Sequence, residues 1–101
     1  VAKPIIFDPH AIEDANEAIE WYEQREPGLG EEFFRTLSTA TTYISREPKT
    51  VKIIEEPFRR VLLRRFPYGV IFREDENQIV VFAVFHYSQN PDKLKGRLKN
   101  R

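Results

Sequence analysis

The sequence predicts one α+β domain in which a helical hairpin packs on one face of a mostly antiparallel sheet, in the order strand, helix, helix, strand, strand, strand. Three observations carry this expectation. Apolar residues recur at helical spacing from about residue 9 to residue 46, broken once at Pro27-Gly28-Leu29-Gly30. After Val51 the period shortens to the alternation of strands. A chain of 101 residues builds one compact core and is too short for two, so residues 1–101 read as a single domain.

Lys3 to Phe7 reads as a short first strand. Asp8-Pro9 is a helix start, with Asp8 as N-cap and Pro9 in the first turn, where its missing N–H costs nothing. Ala11, Ile12, Ala15, Ala18, Ile19 and Tyr22 form the apolar stripe of that helix, and Glu13, Asp14, Glu17, Glu20 and Glu23 its acidic outer face. Pro27 to Gly30 makes a tight turn, and a second helix is expected from about Glu31 to Arg46. Its core side holds Phe33, Leu37, Ala40, Thr41 and Ile44, widened by Phe34 and Tyr43. Its terminal charges suit the helix dipole, and Pro48 stops it.

Val51 to Ile54 is a short extended piece, followed by a turn or bulge at Glu55-Glu56-Pro57. Arg59 to Phe66 alternates like a strand, which sends Arg64 and Arg65 to opposite faces. Pro67 interrupts, Tyr68 to Arg73 resumes, and residues 74–78 form a polar hairpin loop. Ile79 to Phe85 is apolar on both faces and reads as the central strand. Asn90-Pro91 repeats the cap-and-proline pattern, so a short basic helix from Asp92 to Leu98 is expected, with Leu94 and Leu98 as its only stripe. Two helices cover one sheet face; the other is left either wet or as a binding surface.

Hydrophobic residues are 41% and charged residues 32% of the chain, the balance of a soluble globular domain. The longest apolar run falls far short of a bilayer span, and no signal peptide is apparent, so a cytoplasmic protein with no membrane partner is expected. There is no cysteine and only two distant histidines, which leaves neither disulfides nor a metal motif; no cofactor is expected. The formal net charge of zero hides an asymmetry: residues 1–50 carry ten acids and five bases, and the remainder six acids and eleven bases. Such a split either steers a charged partner to one side or lets the two halves attract each other across the fold.

Several strings, taken in order, carry a resemblance: Ala18-Ile19-Glu20-Trp21-Tyr22-Glu23, Pro27-Gly28-Leu29-Gly30, Phe33 to Leu37, Arg65-Phe66-Pro67-Tyr68 and Ala83-Val84-Phe85-His86. No single string is specific, but their order and spacing over nearly the whole chain resemble the ParE and RelE toxins, the ParE-like branch more closely. The resemblance implies the toxin of a type II toxin–antitoxin, plasmid-stabilisation pair, neutralised by a cognate antitoxin and able to assemble with it into a hetero-oligomer. ParE toxins act on DNA gyrase; RelE toxins cut messenger RNA on the ribosome.

Catalysis of the RelE kind requires groups that activate a 2′-hydroxyl, stabilise the phosphorane and protonate the leaving oxygen. The resemblance places one RelE arginine just after Tyr68 and another shortly after the last strand. This chain has Gly69 and Gln89 there, neither of which offers a cationic fork. The catalytic candidates that remain are His86, Tyr87, Arg64 and Arg65, applicable only to a nuclease. His86 either acts as acid or base or simply ends a strand. Partner-binding candidates are Arg60, Arg64, Arg65, Tyr68, Lys93, Lys95 and Arg97. The basic tail that also includes Lys99 and Arg101 either contacts a partner or is solvated. Trp21 reads by default as a core residue, with partner anchor as the other reading. The expected function is therefore a non-catalytic toxin with gyrase as its leading target. The alternatives are a ribosome-dependent endoribonuclease and a degenerate toxin that retains only antitoxin binding.

Overall fold

In the computed structural model, residues 2–99 are described. The chain runs β1 (Ile5–Phe7), α1 (Pro9–Arg25), α2 (Leu29–Arg46), a 3-10 turn (Pro48–Thr50), β2 (Ile53–Glu55), β3 (Phe58–Leu62), β4 (Tyr68–Glu74), β5 (Ile79–His86) and α3 (Pro91–Lys99). Arg101 of the basic tail lies outside the described residues.

The Asp8 side chain caps α1 by accepting from the His10 backbone N–H at 2.9 Å, the arrangement expected of Asp-Pro. The second helix begins at Leu29, two residues earlier than its charge pattern predicts. Gly28 adopts φ +92°, and the Glu23 carboxylate of α1 accepts the Gly28 and Gly30 N–H groups at 3.0–3.1 Å. These orphan donors are thus capped from the neighbouring helix, which lets α2 start inside the turn. A Cβ on Gly30 would lie 2.6 Å from the Ile19 carbonyl oxygen, so this glycine sets how closely the two helices approach.

The five strands form one mixed sheet in the order β1-β5-β4-β3-β2. β1 pairs parallel with β5, and every other pair is antiparallel. Four strands rather than three follow the hairpin, because Glu55 to Phe58 turns tightly enough for β2 to pair with β3. β5 is interior, between β1 and β4, and the middle position belongs to β4.

α1 buries Ala11, Ala15 and Ala18, small residues that bring its axis close to the sheet, while α2 contributes Phe33, Leu37 and Ile44. Against them lie Val70, Phe72, Ile79, Val81 and Val84. Ile12, Phe34 and Tyr43, expected in the core, are about half exposed at 47%, 55% and 46%, because each sits at the margin of a stripe that narrower neighbours already fill.

The face opposite the hairpin is not free. Phe58, Ile71, Ala83, Phe85 and Leu98 form a second buried cluster there, with Leu94 packed against it. A strand apolar on both faces needs two covers, and the Leu94–Leu98 stripe of α3 supplies the second. A register shift in the β4–β5 ladder, where Ile71 pairs Ala83 and Phe72 pairs Val81, makes Phe82 a bulge. Past that extra residue the facing reverses, so Val84 joins Val81 on the hairpin side and Ala83 and Phe85 turn toward α3.

Candidate functional site

β3 ends at Leu62, four residues short of the expected strand, which corrects the reading that strand alternation separates Arg64 and Arg65. Leu63 and Phe66 turn into the core, and Phe66 meets Tyr22 and Phe33 edge to face, with ring centroids 4.9 and 5.1 Å apart. Anchoring both ends of this short loop forces the residues between them out of the extended conformation. Arg65 takes φ 70° and reaches Glu32 of α2 at 2.8 Å. Arg64 and Arg65 together border an open groove between α2 and β3 that also exposes Tyr43 and Leu62.

The remaining candidates gather where β4 begins and β5 ends. Tyr68 pairs His86 across the ladder, with the rings edge to face at 4.9 Å. Nδ1 of His86 accepts from the Ser88 backbone N–H at 2.9 Å, with the Ser88 hydroxyl also at 2.8 Å. An acceptor Nδ1 places the ring hydrogen of the neutral imidazole on Nε2. Gln89 accepts from the His86 backbone N–H through Oε1 at 3.0 Å, and its own N–H donates to the His86 carbonyl at 3.1 Å. The residue at the expected arginine position thus serves to close the strand end.

At Gly69 an added Cβ would lie 2.9 Å from Cδ of Arg60, so the aliphatic stem of Arg60 passes directly over this glycine. Arg60 shares a shallow depression with His86, Tyr87, Gln89 and Leu94 beside α3. Lys93 and Lys95 are exposed on α3. Arg97, expected among the partner-facing cations, is turned inward instead. It donates to both Asp14 oxygens at 2.9 and 3.2 Å and to the Phe82 carbonyl at 2.9 Å. Asp14 in turn accepts the Val84 N–H at 3.0 Å. β1 pairs only as far as Phe7 with Val81, so among the described residues the β5 edge beyond it is left without a strand. Asp14, Arg97 and Gln89 occupy its polar groups instead, a side-chain substitute for the missing neighbour.

On the hairpin side of that edge, Asp14, Glu17, Trp21, Tyr22, Tyr68 and His86 line a cavity of about 310 Å³. The Tyr68 hydroxyl titrates above the ordinary tyrosine range, first because it is buried and then through Tyr22, Asp14 and Glu17. Trp21, by default a core residue, is 50% exposed, because Tyr22 takes the core position beside it. Asp14, Glu17 and Gln89 escape sequence reasoning as site residues. The only available signal is that Asp14, Glu17 and Trp21 recur at helical spacing beside the buried stripe. Among the described residues no group of three or more His, Asp or Glu side chains is placed to hold a metal, and no helix is long and apolar enough to cross a membrane.

A helical hairpin on a five-stranded mixed sheet with a C-terminal helix behind it is the RelE/ParE-like α+β fold. The sequence matches the family described as ParE toxin of type II toxin-antitoxin system, parDE, over residues 5–91, and the chain belongs to that family. No curated protein matches the sequence. Among solved structures, the chromosomal ParDE toxin–antitoxin system of P. aeruginosa superposes with a TM-score of 0.75 at 15% identity, covering 84% of this chain and 96% of that one. A double arginine-to-alanine mutant of the E. coli toxin RelE in the free state gives 0.70 at 14% identity, covering 98% and 97%. The RelBE2 toxin–antitoxin complex of Mycobacterium tuberculosis gives 0.58 at 21% identity, covering 85% and 99%.

Proposed function

We propose that this ParE-family toxin is neutralised by a cognate antitoxin and arrests growth by binding a protein target, with DNA gyrase the leading candidate, rather than by cutting RNA. The observation that carries this reading is the chemistry of the α3-side face. A glycine and a strand-closing glutamine stand where nuclease arginines would be expected, over an apolar cluster sealed by Leu98. Arg60 apart, the depression on that face offers a phosphorane no guanidinium among the described residues.

The groove between α2 and β3 suits the antitoxin. It combines exposed Tyr43 and Leu62 with Arg64 and Arg65 at its border, the chemistry that accepts an acidic amphipathic segment. Family membership and the ParDE and RelBE2 pairs among similar structures support a two-component system, which this reading places in the cytoplasm.

The test is a gyrase supercoiling reaction with the purified chain in excess, run beside a cell-free translation reaction. Loss of supercoiling with translation intact is expected. Normal supercoiling with cleaved messenger RNA would overturn the reading, and no effect in either, with growth unchanged on expression, would identify a degenerate toxin. One observation favours the nuclease as second reading: Arg60, laid across Gly69, brings a guanidinium-bearing side chain to the α3 side of the strand end that carries His86 and Tyr87, while the His86 ring itself lies against Tyr68 on the hairpin side. A His86→Ala chain as toxic as the parent would remove it.

A further inference from the structure

We propose that the cavity between α1 and the end of β5 is a receptor for one basic side chain, arginine above all, presented by a partner polypeptide. It stands whether or not the target is gyrase. Its walls are aromatic and acidic. Trp21 is half exposed, Tyr68 and Tyr22 line the cavity with it, and His86, its ring against Tyr68, lines it too. A cation in contact with aromatic faces is drawn by their quadrupoles. Two carboxylates complete the lining. Asp14 is held by Arg97, whereas Glu17 has no ion pair among the described residues and stays available to an incoming charge.

The molecule's own arginines show what these walls accept. The Arg25 guanidinium stands 4.1 Å from the Trp21 ring centre, and one Arg97 nitrogen, Nη1, donates to both Asp14 oxygens. A cavity of about 310 Å³ suits one long side chain rather than a folded element. The Glu17 carboxylate, without an ion pair among the described residues, opposes the competing occupant, a nucleotide stacked on Trp21, because it would repel the phosphate that accompanies the base.

The chain's single tryptophan lines the cavity, so its fluorescence reports occupancy. The full chain is titrated at constant ionic strength with N-acetylarginine methylamide, its uncharged citrulline counterpart and uridine 3′-monophosphate. Expected is a saturable change with the arginine compound at a half-saturation on the order of 10 mM, as befits one side chain. Glu17→Gln should weaken it several-fold, and the citrulline compound should give no saturable response. Arg25→Ala should bind at least as tightly as the parent; loss of the response in that variant would mean that the signal came from displacing Arg25, and would overturn the proposal. So would an equal response to citrulline, saturation by the nucleotide alone, or no saturable change with the arginine compound.

Discussion

Breaking the Asp14–Arg97 pair should loosen both α3 and the free end of β5. The pair joins α1 on one side of the sheet to α3 on the other, around an edge that β1 leaves uncovered. The Asp14 and Arg97 side chains are 21% and 26% exposed, between the exposed pairs worth about 0.2–1 kcal/mol and the buried ones whose disruption costs about 3–5 kcal/mol. Arg97→Ala, which leaves the Phe82 carbonyl and the Asp14 charge without their donor, should therefore cost about 2 kcal/mol. Asp14→Ala should cost somewhat more, since it also strands the Val84 N–H. With a urea slope of about 1–3 kcal/mol/M, a loss of that size lowers the unfolding midpoint by roughly 0.7–2 M. The double variant should cost less than the sum, leaving a coupling of about 1 kcal/mol. Asp14→Asn should retain hydrogen-exchange protection at Val84, which Asp14→Ala should lose. Additive single variants, within about 0.3 kcal/mol, with Val84 protection unchanged in Asp14→Ala, would show that the apolar contacts of α3 alone hold this edge.

Three further outcomes are expected. Arg65 occupies φ 70°, a region glycine enters without strain, so Arg65→Gly should be more stable than Arg65→Ala by about 1 kcal/mol in the same urea assay; equal midpoints would contradict a strained loop. Gly30→Ala should destabilise by about 1–3 kcal/mol, because its methyl meets the Ile19 carbonyl, whereas Gly96→Ala in α3 meets nothing within 4 Å and should stabilise by about 0.5–1 kcal/mol; thermal melts that move the two variants in the same direction would refute this. The Lys3 ammonium, then that of Lys49, holds the Glu74 carboxyl below its ordinary range, and Arg73 does the same for Asp75. A folded value below the unfolded one stabilises above about pH 4 and is lost as pH falls through the folded value, so the urea midpoint should drop on acidification and Glu74→Gln should flatten that drop; an unchanged acid slope would rule Glu74 out as a contributor.

Much of the fold is written in local chemistry. Asp8-Pro9 names the start of α1, Pro27-Gly28 its end, and the stripe Ala11, Ala15, Ala18, Tyr22 the face it buries. The site is less legible. Arg64 and Arg65 alternate like strand residues, yet burial of Leu63 and Phe66 on either side pulls them into a loop. Arg97 looks like one more tail cation until its partner, 83 residues away, is seen. Trp21 belongs to no buried stripe, but only the position of β5 gives its exposed ring a cavity to line.

His86 marks the boundary between the two kinds of information. Its place at the end of an apolar strand follows from residue order alone, and so do the strings that carry the family likeness. Strict alternation from Ile79 and Val81 would send His86 to the α3 side. The bulge at Phe82 reverses the facing and sets His86 beside Tyr68 on the hairpin side, next to Glu17 and Trp21. A single extra residue in one strand leaves hydropathy unchanged and turns every later side chain over, so the facing of this site is settled by pairing with β4 rather than by periodicity.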